Sequence, residues 1–161
     1  MGLDMYLRGQ KYLWHDWEHP ENDRKEDGLR ISQVEIDLGY WRKHPNLHGF
    51  IVQAFAGGKD ECQDIELSDV DMRNIISAIQ GERLPHTEGF FFGASELTPE
   101  QRASDLLIFE RALAWLAAEP KGEKPSLGIE EPIGGGLALR KVKVPKVMPR
   151  ESRSVIYRAS W

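Results

Sequence analysis

The stretch from Leu38 to Phe55, LGYWRKHPNLHGFIVQAF, holds the densest mix of aromatic, cationic and hydrogen-bonding side chains in the chain: Tyr40, Trp41, Arg42, Lys43, His44, Asn46 and His48. A guanidinium beside a helix start, where the first N–H groups have no partner within the helix, is a natural seat for an anion. Trp41, or Phe91 from the GFFFG run of Gly89 to Gly93, offers a flat face on which a base or ring could stack. The expected chemistry is recognition of an anion. Arg42, Lys43 and His48 engage the charge, Asn46 adds hydrogen bonds, and Trp41 and Phe91 line the pocket. Asp4 stands between apolar neighbours and completes the set, either as an ion-pair partner of Arg42 or as a general base. The competing reading is structural: the rings are core, while Arg42 and Lys43 are solvated or pair with Asp4 or Asp37.

Other chemistry is weaker. His44 and His48 are four apart, as are His15 and His19, a spacing that shares a helix face and can hold zinc. Neither pair carries the glutamate of HExxH, and Cys62 is the only cysteine, so no metal site is expected. His48 reads better as a hydrogen-bonded orienting residue. Cys62 could meet His48 in space, but a lone strand cysteine is more often inert core. The triple glycine Gly134 to Gly136 is not followed by GKS or GKT and is not a phosphate loop. No catalytic residue and no cofactor is assigned.

The elements that must position these residues follow from period and punctuation. Gly2 to Leu7 and Ile31 to Tyr40 alternate apolar with polar residues and read as antiparallel strands. His19 to Gly28 is a polar surface loop. Pro45 opens a helix with His44 at its N-cap, the stripe Leu47, Phe50, Ile51, Ala54 and Phe55, and Gly57–Gly58 at its end. Cys62 to Leu67 predicts a third strand. Ser68 caps a second helix with Val70, Ile75, Ile76 and Ile79 inward, and Thr98-Pro99-Glu100-Gln101 starts a third with a capping box. That helix reaches about Ala118, with Leu106, Phe109, Ala112, Leu113 and Leu116 inward. From Pro120 the composition turns linker-like. Leu137 to Val147 alternates apolar with basic residues as an edge strand, and Ser154 to Trp161 reads as one more strand.

GLDMYL at the N-terminus, GYWRK at Gly39 to Lys43, Asn46 and His48, Cys62, Leu67–Ser68, Leu84–Pro85 and GFFFG occur in that order. This series resembles a family of small bacteriophage and bacterial proteins. The resemblance covers about the first two thirds of the chain. It implies a phage or prophage setting and an α+β fold, and supplies no reaction.

At 161 residues the chain suits one domain, here residues 1–119, with 120–161 as a linker and C-terminal extended arm packed on the core or on a partner. A net charge of −5 argues against a dedicated nucleic-acid binder. No apolar run approaches the ~20 residues of a membrane span, and no secretory signal is visible. Position 6, where myristoylation wants Ser or Thr, is Tyr6. The expectation is an α+β protein, a small antiparallel sheet with three packed helices, acting in the cytoplasm and binding a phosphorylated small molecule or nucleotide. The alternative partner is a host protein met through the arm and its aromatic end, Tyr157 to Trp161. An enzyme ranks third.

Overall fold

The computed structural model describes residues 2–88, 93–120 and 150–161. It is an α+β fold in two layers, a sheet with helices on one face. Among the described residues the main sheet has four antiparallel strands in the order β4-β1-β6-β5. These are β1 (Asp4–Leu13), β4 (Gln33–Arg42), β5 (Ile65–Leu67) and β6 (Glu151–Ser160), and a two-stranded ribbon joins β2 (Lys25–Glu26) to β3 (Leu29–Arg30). Three α-helices complete it: α1 (Pro45–Phe55), α2 (Asp69–Gln80) and α3 (Pro99–Ala117).

Register decides which side chains reach the core. Met5 pairs with Trp41 on one side and Ala159 on the other; Leu7 pairs with Gly39 and Tyr157, and Tyr157 with Ile65. All of these side chains lie on one face because alternate strand residues point the same way. Apart from Gly39 they are buried there, under Leu47 and Ile51 of α1, Met72 and Ile75 of α2, and Phe109 of α3. Each such side chain contributes roughly 1.5–3 kcal/mol by leaving water. The glycines of this face are functional parts of the packing. A Cβ on Gly39 would stand 2.4 Å from Cγ2 of Ile108, and one on Gly9 would meet the Trp115 ring at 2.8 Å. The absent side chains are what let α3 lie close against the sheet.

Of the segment read as a linker and extended arm, Glu151–Ser160 is an inner strand. Val155, Tyr157 and Ala159 enter the core from β6, which pairs with β1 along ten residues. Arg153 locks it to α3: Nη1 donates to the Trp115 carbonyl at 2.7 Å, Nη2 to Glu151 at 2.8 Å, and the guanidinium lies 5.0 Å from the Trp115 ring centre.

Several expectations need correction. Cys62 precedes β5 in a left-handed turn, φ 55°, half-buried rather than in the core. Val70 is exposed, and Met72 and Ala78 take the inward positions of α2 beside Ile75 and Ile79. Ser68 makes a full capping box with Asp71, but the box at Thr98 is only half made. Thr98 Oγ1 accepts from Gln101 N–H at 3.1 Å, while the Gln101 side chain reaches forward to Asp105 at 2.8 Å. The loop from His19 contains the β2–β3 ribbon, turned by Asp27 and Gly28 at φ 49° and 79°, the Asp-Gly turn that matches strand twist. Leu137 to Val147 lies outside the described residues.

Candidate functional site

The handover from β4 to α1 is sharp because Lys43 takes a left-handed conformation, φ 56°, with its N–H donating to the Leu3 carbonyl at 2.8 Å. Only one residue, His44, then separates Lys43 from Pro45 at the first turn of α1. A left-handed backbone costs a non-glycine residue ~1–2 kcal/mol. The bend sets Arg42 and Lys43 side by side at the rim of a recess of ≈ 460 Å³, walled also by Tyr40, Trp41, His44 and Glu96. Both cations are exposed, and neither is ion-paired among the described residues.

The remaining predicted residues divide. Asp4 stands opposite Arg42 in the register, yet its carboxylate accepts from the Tyr40 hydroxyl at 2.5 Å. That bond, with burial and the Asp4 charge behind it, raises the Tyr40 pKa. Asp4 therefore orients the Tyr40 ring at the rim. Trp41 is 4% exposed and its ring stacks on Phe109, with centroids 5.5 Å apart and 25° between planes. Its face is thus spent on the core rather than held out to a ligand. Asn46 is buried; its Oδ1 accepts from Thr87 N–H at 2.9 Å and so anchors the chain after α2. Phe91 lies outside the described residues.

His48 does not join Arg42 and Lys43. Residues four apart share a face only where both are helical, but His44 is the non-helical N-cap, φ −114° and ψ 66°. The two rings therefore part. His48 is 2% exposed and turned towards the sheet, where Nδ1 accepts from Tyr157 Oη at 2.7 Å and Nε2 donates to Asp60 at 2.8 Å. Tyr157 keeps its proton, since burial first and the Asp60 charge second push its pKa well up. Tyr157 is thus core and not a free aromatic end. His15 and His19 also part, to Asp23 and Glu21. Among the described residues no three His, Cys, Asp or Glu side chains gather closely enough to hold a metal ion.

His44 turns the other way, into a network that sequence reasoning missed. Its Nε2 lies 2.9 Å from Asp105 Oδ2, and its Nδ1 lies 3.0 Å from Ser95 Oγ. Asp105 is 2% exposed and its Oδ1 accepts from Trp41 Nε1 and Gln101 Nε2, each at 2.8 Å. Burying a carboxylate costs several kcal/mol unless its lone pairs are met, and three N–H donors meet them here. A carboxylate only accepts, so the His44 proton sits on Nε2 and Nδ1 faces the Ser95 hydroxyl. His44 makes no side-chain cap to its own helix; Ser95 Oγ supplies one instead, accepting from Asn46 N–H at 2.9 Å. One signal in the sequence was available. Asp105 falls four residues before Phe109 and seven before Ala112, an acid on the apolar stripe of α3.

Comparison with known protein families, with characterised protein sequences and with solved structures finds no match. The site has to be read from its own chemistry.

Proposed function

We propose that this chain binds an anionic small molecule, a phosphorylated metabolite or nucleotide, in the recess where β4 hands over to α1. The observation behind this reading is the pair Arg42 and Lys43, held together by a strained bend and facing a cavity, with no carboxylate among the described residues at ion-pair distance from either. Glu96 on the opposite wall can accept from a hydroxyl or amine of the same ligand. The recess volume falls within the ~300–1,000 Å³ common to small-molecule sites. The phage setting implied by GLDMYL, GYWRK and GFFFG agrees with a small intracellular ligand. Among the described residues no helix is long and apolar enough to cross a membrane.

Titration calorimetry against inorganic phosphate, nucleoside monophosphates and cyclic nucleotides tests the reading. A charge-assisted hydrogen bond contributes about 1.5–3 kcal/mol, less for an exposed side chain, so Arg42→Ala should weaken binding roughly tenfold. Binding should also weaken as salt rises. A folded protein that binds none of these anions refutes the proposal. An interaction arm is the second reading, but Tyr157 is fully buried in β6. What remains exposed of the aromatic end is Trp161, whose Nε1 donates to Asp60 at 3.3 Å.

A further inference from the structure

Ser95, His44 and Asp105 stand in line. The hydroxyl lies 3.0 Å from His44 Nδ1, the nitrogen left to accept when the ring is neutral, and Nε2 donates to a buried carboxylate at 2.9 Å. That is the arrangement in which a base removes a proton from a nucleophile while a third group fixes the tautomer. Here Nδ1 faces the serine and Nε2 the acid, which leaves the proton logic unchanged. Asn46 N–H, at the first turn of the eleven-residue helix α1, also donates to Ser95 Oγ at 2.9 Å. A donor aimed at the oxygen from the positive end of a helix favours its deprotonated form.

The surroundings suit a substrate with two unlike ends. His44 and Glu96 line both the basic recess and a second cavity of ≈ 220 Å³, where Ile79, Leu84 and Leu97 form an apolar wall beside the polar Glu82, Thr98 and Arg102. Ser95 lines neither cavity itself; it lies on the chain between Ala94 of the first and Leu97 of the second and is half-buried.

We propose that Ser95, His44 and Asp105 form a hydrolytic relay that cleaves a carboxylic ester carrying an anionic group, the anion held by Arg42 and Lys43 and a short apolar acyl chain lying against Ile79, Leu84 and Leu97. This rests on the anion-binding reading of the recess. Ser95 Oγ attacks the ester carbonyl carbon as its proton passes to His44 Nδ1. The bond to the alcohol oxygen breaks and the alcohol leaves with that proton. Water then attacks the acyl-serine carbonyl, giving a proton to Nδ1. The bond to Ser95 Oγ breaks, and Ser95 takes the proton back. The sum is ester plus water giving acid plus alcohol, with no other reactant. Asp105 acts as a positioning residue throughout.

The test is covalent labelling with an uncharged alkyl fluorophosphonate, read by intact mass and peptide mapping. The expected result is one adduct per chain, on Ser95, formed at least a hundredfold more slowly in His44→Gln and absent in Ser95→Ala. Because Ser95 also caps α1, Ser95→Cys in a Cys62→Ser background gives a second readout. An imidazole-paired thiol is largely thiolate at neutral pH, so iodoacetamide should alkylate it at least tenfold faster than an ordinary cysteine. No adduct on folded protein, an adduct elsewhere, or an ordinary alkylation rate overturns the relay. Phosphate calorimetry on the same samples separates the two readings. Binding that depends on Arg42 without labelling removes the relay alone. Labelling that persists in Arg42→Ala, with phosphate binding lost, supports it.

Discussion

Replacing Asp105 probes both the stability and the chemistry of the site. In Asp105→Ala the N–H groups of Trp41 and His44 lose their acceptor in a place nearly closed to water, since both residues are 4% exposed. Gln101 is half-buried and can turn to solvent. A buried donor left without a partner costs about 1–3 kcal/mol, so two of them predict a loss of about 2–6 kcal/mol. At about 2–4 °C per kcal/mol for a chain of this size, even the low end lowers Tm by several degrees. Asp105→Asn should behave differently. Its carbonyl oxygen still accepts from Trp41 and Gln101, while its amide must donate to His44 Nε2, which moves the imidazole proton to Nδ1. The expected cost is then about 1 kcal/mol, but the ring now offers Ser95 a donor where it offered an acceptor. Urea unfolding followed by tryptophan fluorescence measures the first effect and fluorophosphonate labelling the second. An Asp105→Ala protein within about 0.5 kcal/mol of wild type, below the cost of even one orphaned donor, would refute the account of the buried carboxylate.

Gly39→Ala should destabilise by about 1–3 kcal/mol, because its Cβ would stand 2.4 Å from Ile108 Cγ2 and overpacking has that cost; Ile108→Ala in the same chain should recover part of the loss in urea unfolding. Tyr157→Phe removes the hydroxyl that donates to His48 at 2.7 Å and should cost about 1 kcal/mol in the same assay, with the fold retained by circular dichroism. Asp16 and Asp23 have lowered pKa values, Asp16 chiefly through the His19 N–H and Asp23 through the Asp16 N–H. A lowered folded-state pKa gives stability that is complete above the ordinary carboxylate value and is lost as pH falls through the lowered one. NMR titration should therefore show both carboxylates protonating below the ordinary value of 3.8, with the loop's amide protection falling in the same window; ordinary values would contradict the hydrogen-bond account.

The elements were legible where the physics is local. Pro45 at the start of α1, Ser68 at the cap of α2 and Thr98 at that of α3 act within a few residues and stand as read. Alternation found β1 and β4 but not their bounds, and a register irregularity puts Trp41 rather than Tyr40 in the core. The recess beside Arg42 and Lys43 was legible for the same reason, since a strand end and a helix start adjoin there. Partners across the fold were not. Trp41 reads equally as a stacking surface and as core, and only Phe109, 68 residues on, decides between them. His44 and His48 share a spacing, but the i,i+4 rule needs both to be helical. The Asp-Gly pair at Asp27 and Gly28 was a legible turn signal, hidden by the polar residues around it.

The two imidazole networks differ in what the fold needs from them. His48 ties α1 to a strand 109 residues away and to Asp60, so it fixes how β6 enters the sheet beside β1. A polar group that sets register across so long a separation has a structural purpose even at some cost in stability. Ser95, His44 and Asp105 also serve the fold, since Asp105 accepts from the Trp41 and Gln101 side chains and Ser95 Oγ caps α1. Leucine at position 105 alone would orphan the Trp41 and His44 N–H groups, so only joint replacement of the whole buried set could be neutral. The buried acid, the imidazole it orients and the half-buried hydroxyl beyond it adjoin two cavities and two cations that are not ion-paired among the described residues. Hydrogen bonds within the fold account for each of the three, and covalent labelling at Ser95 is what separates the proposed chemistry from that structural role.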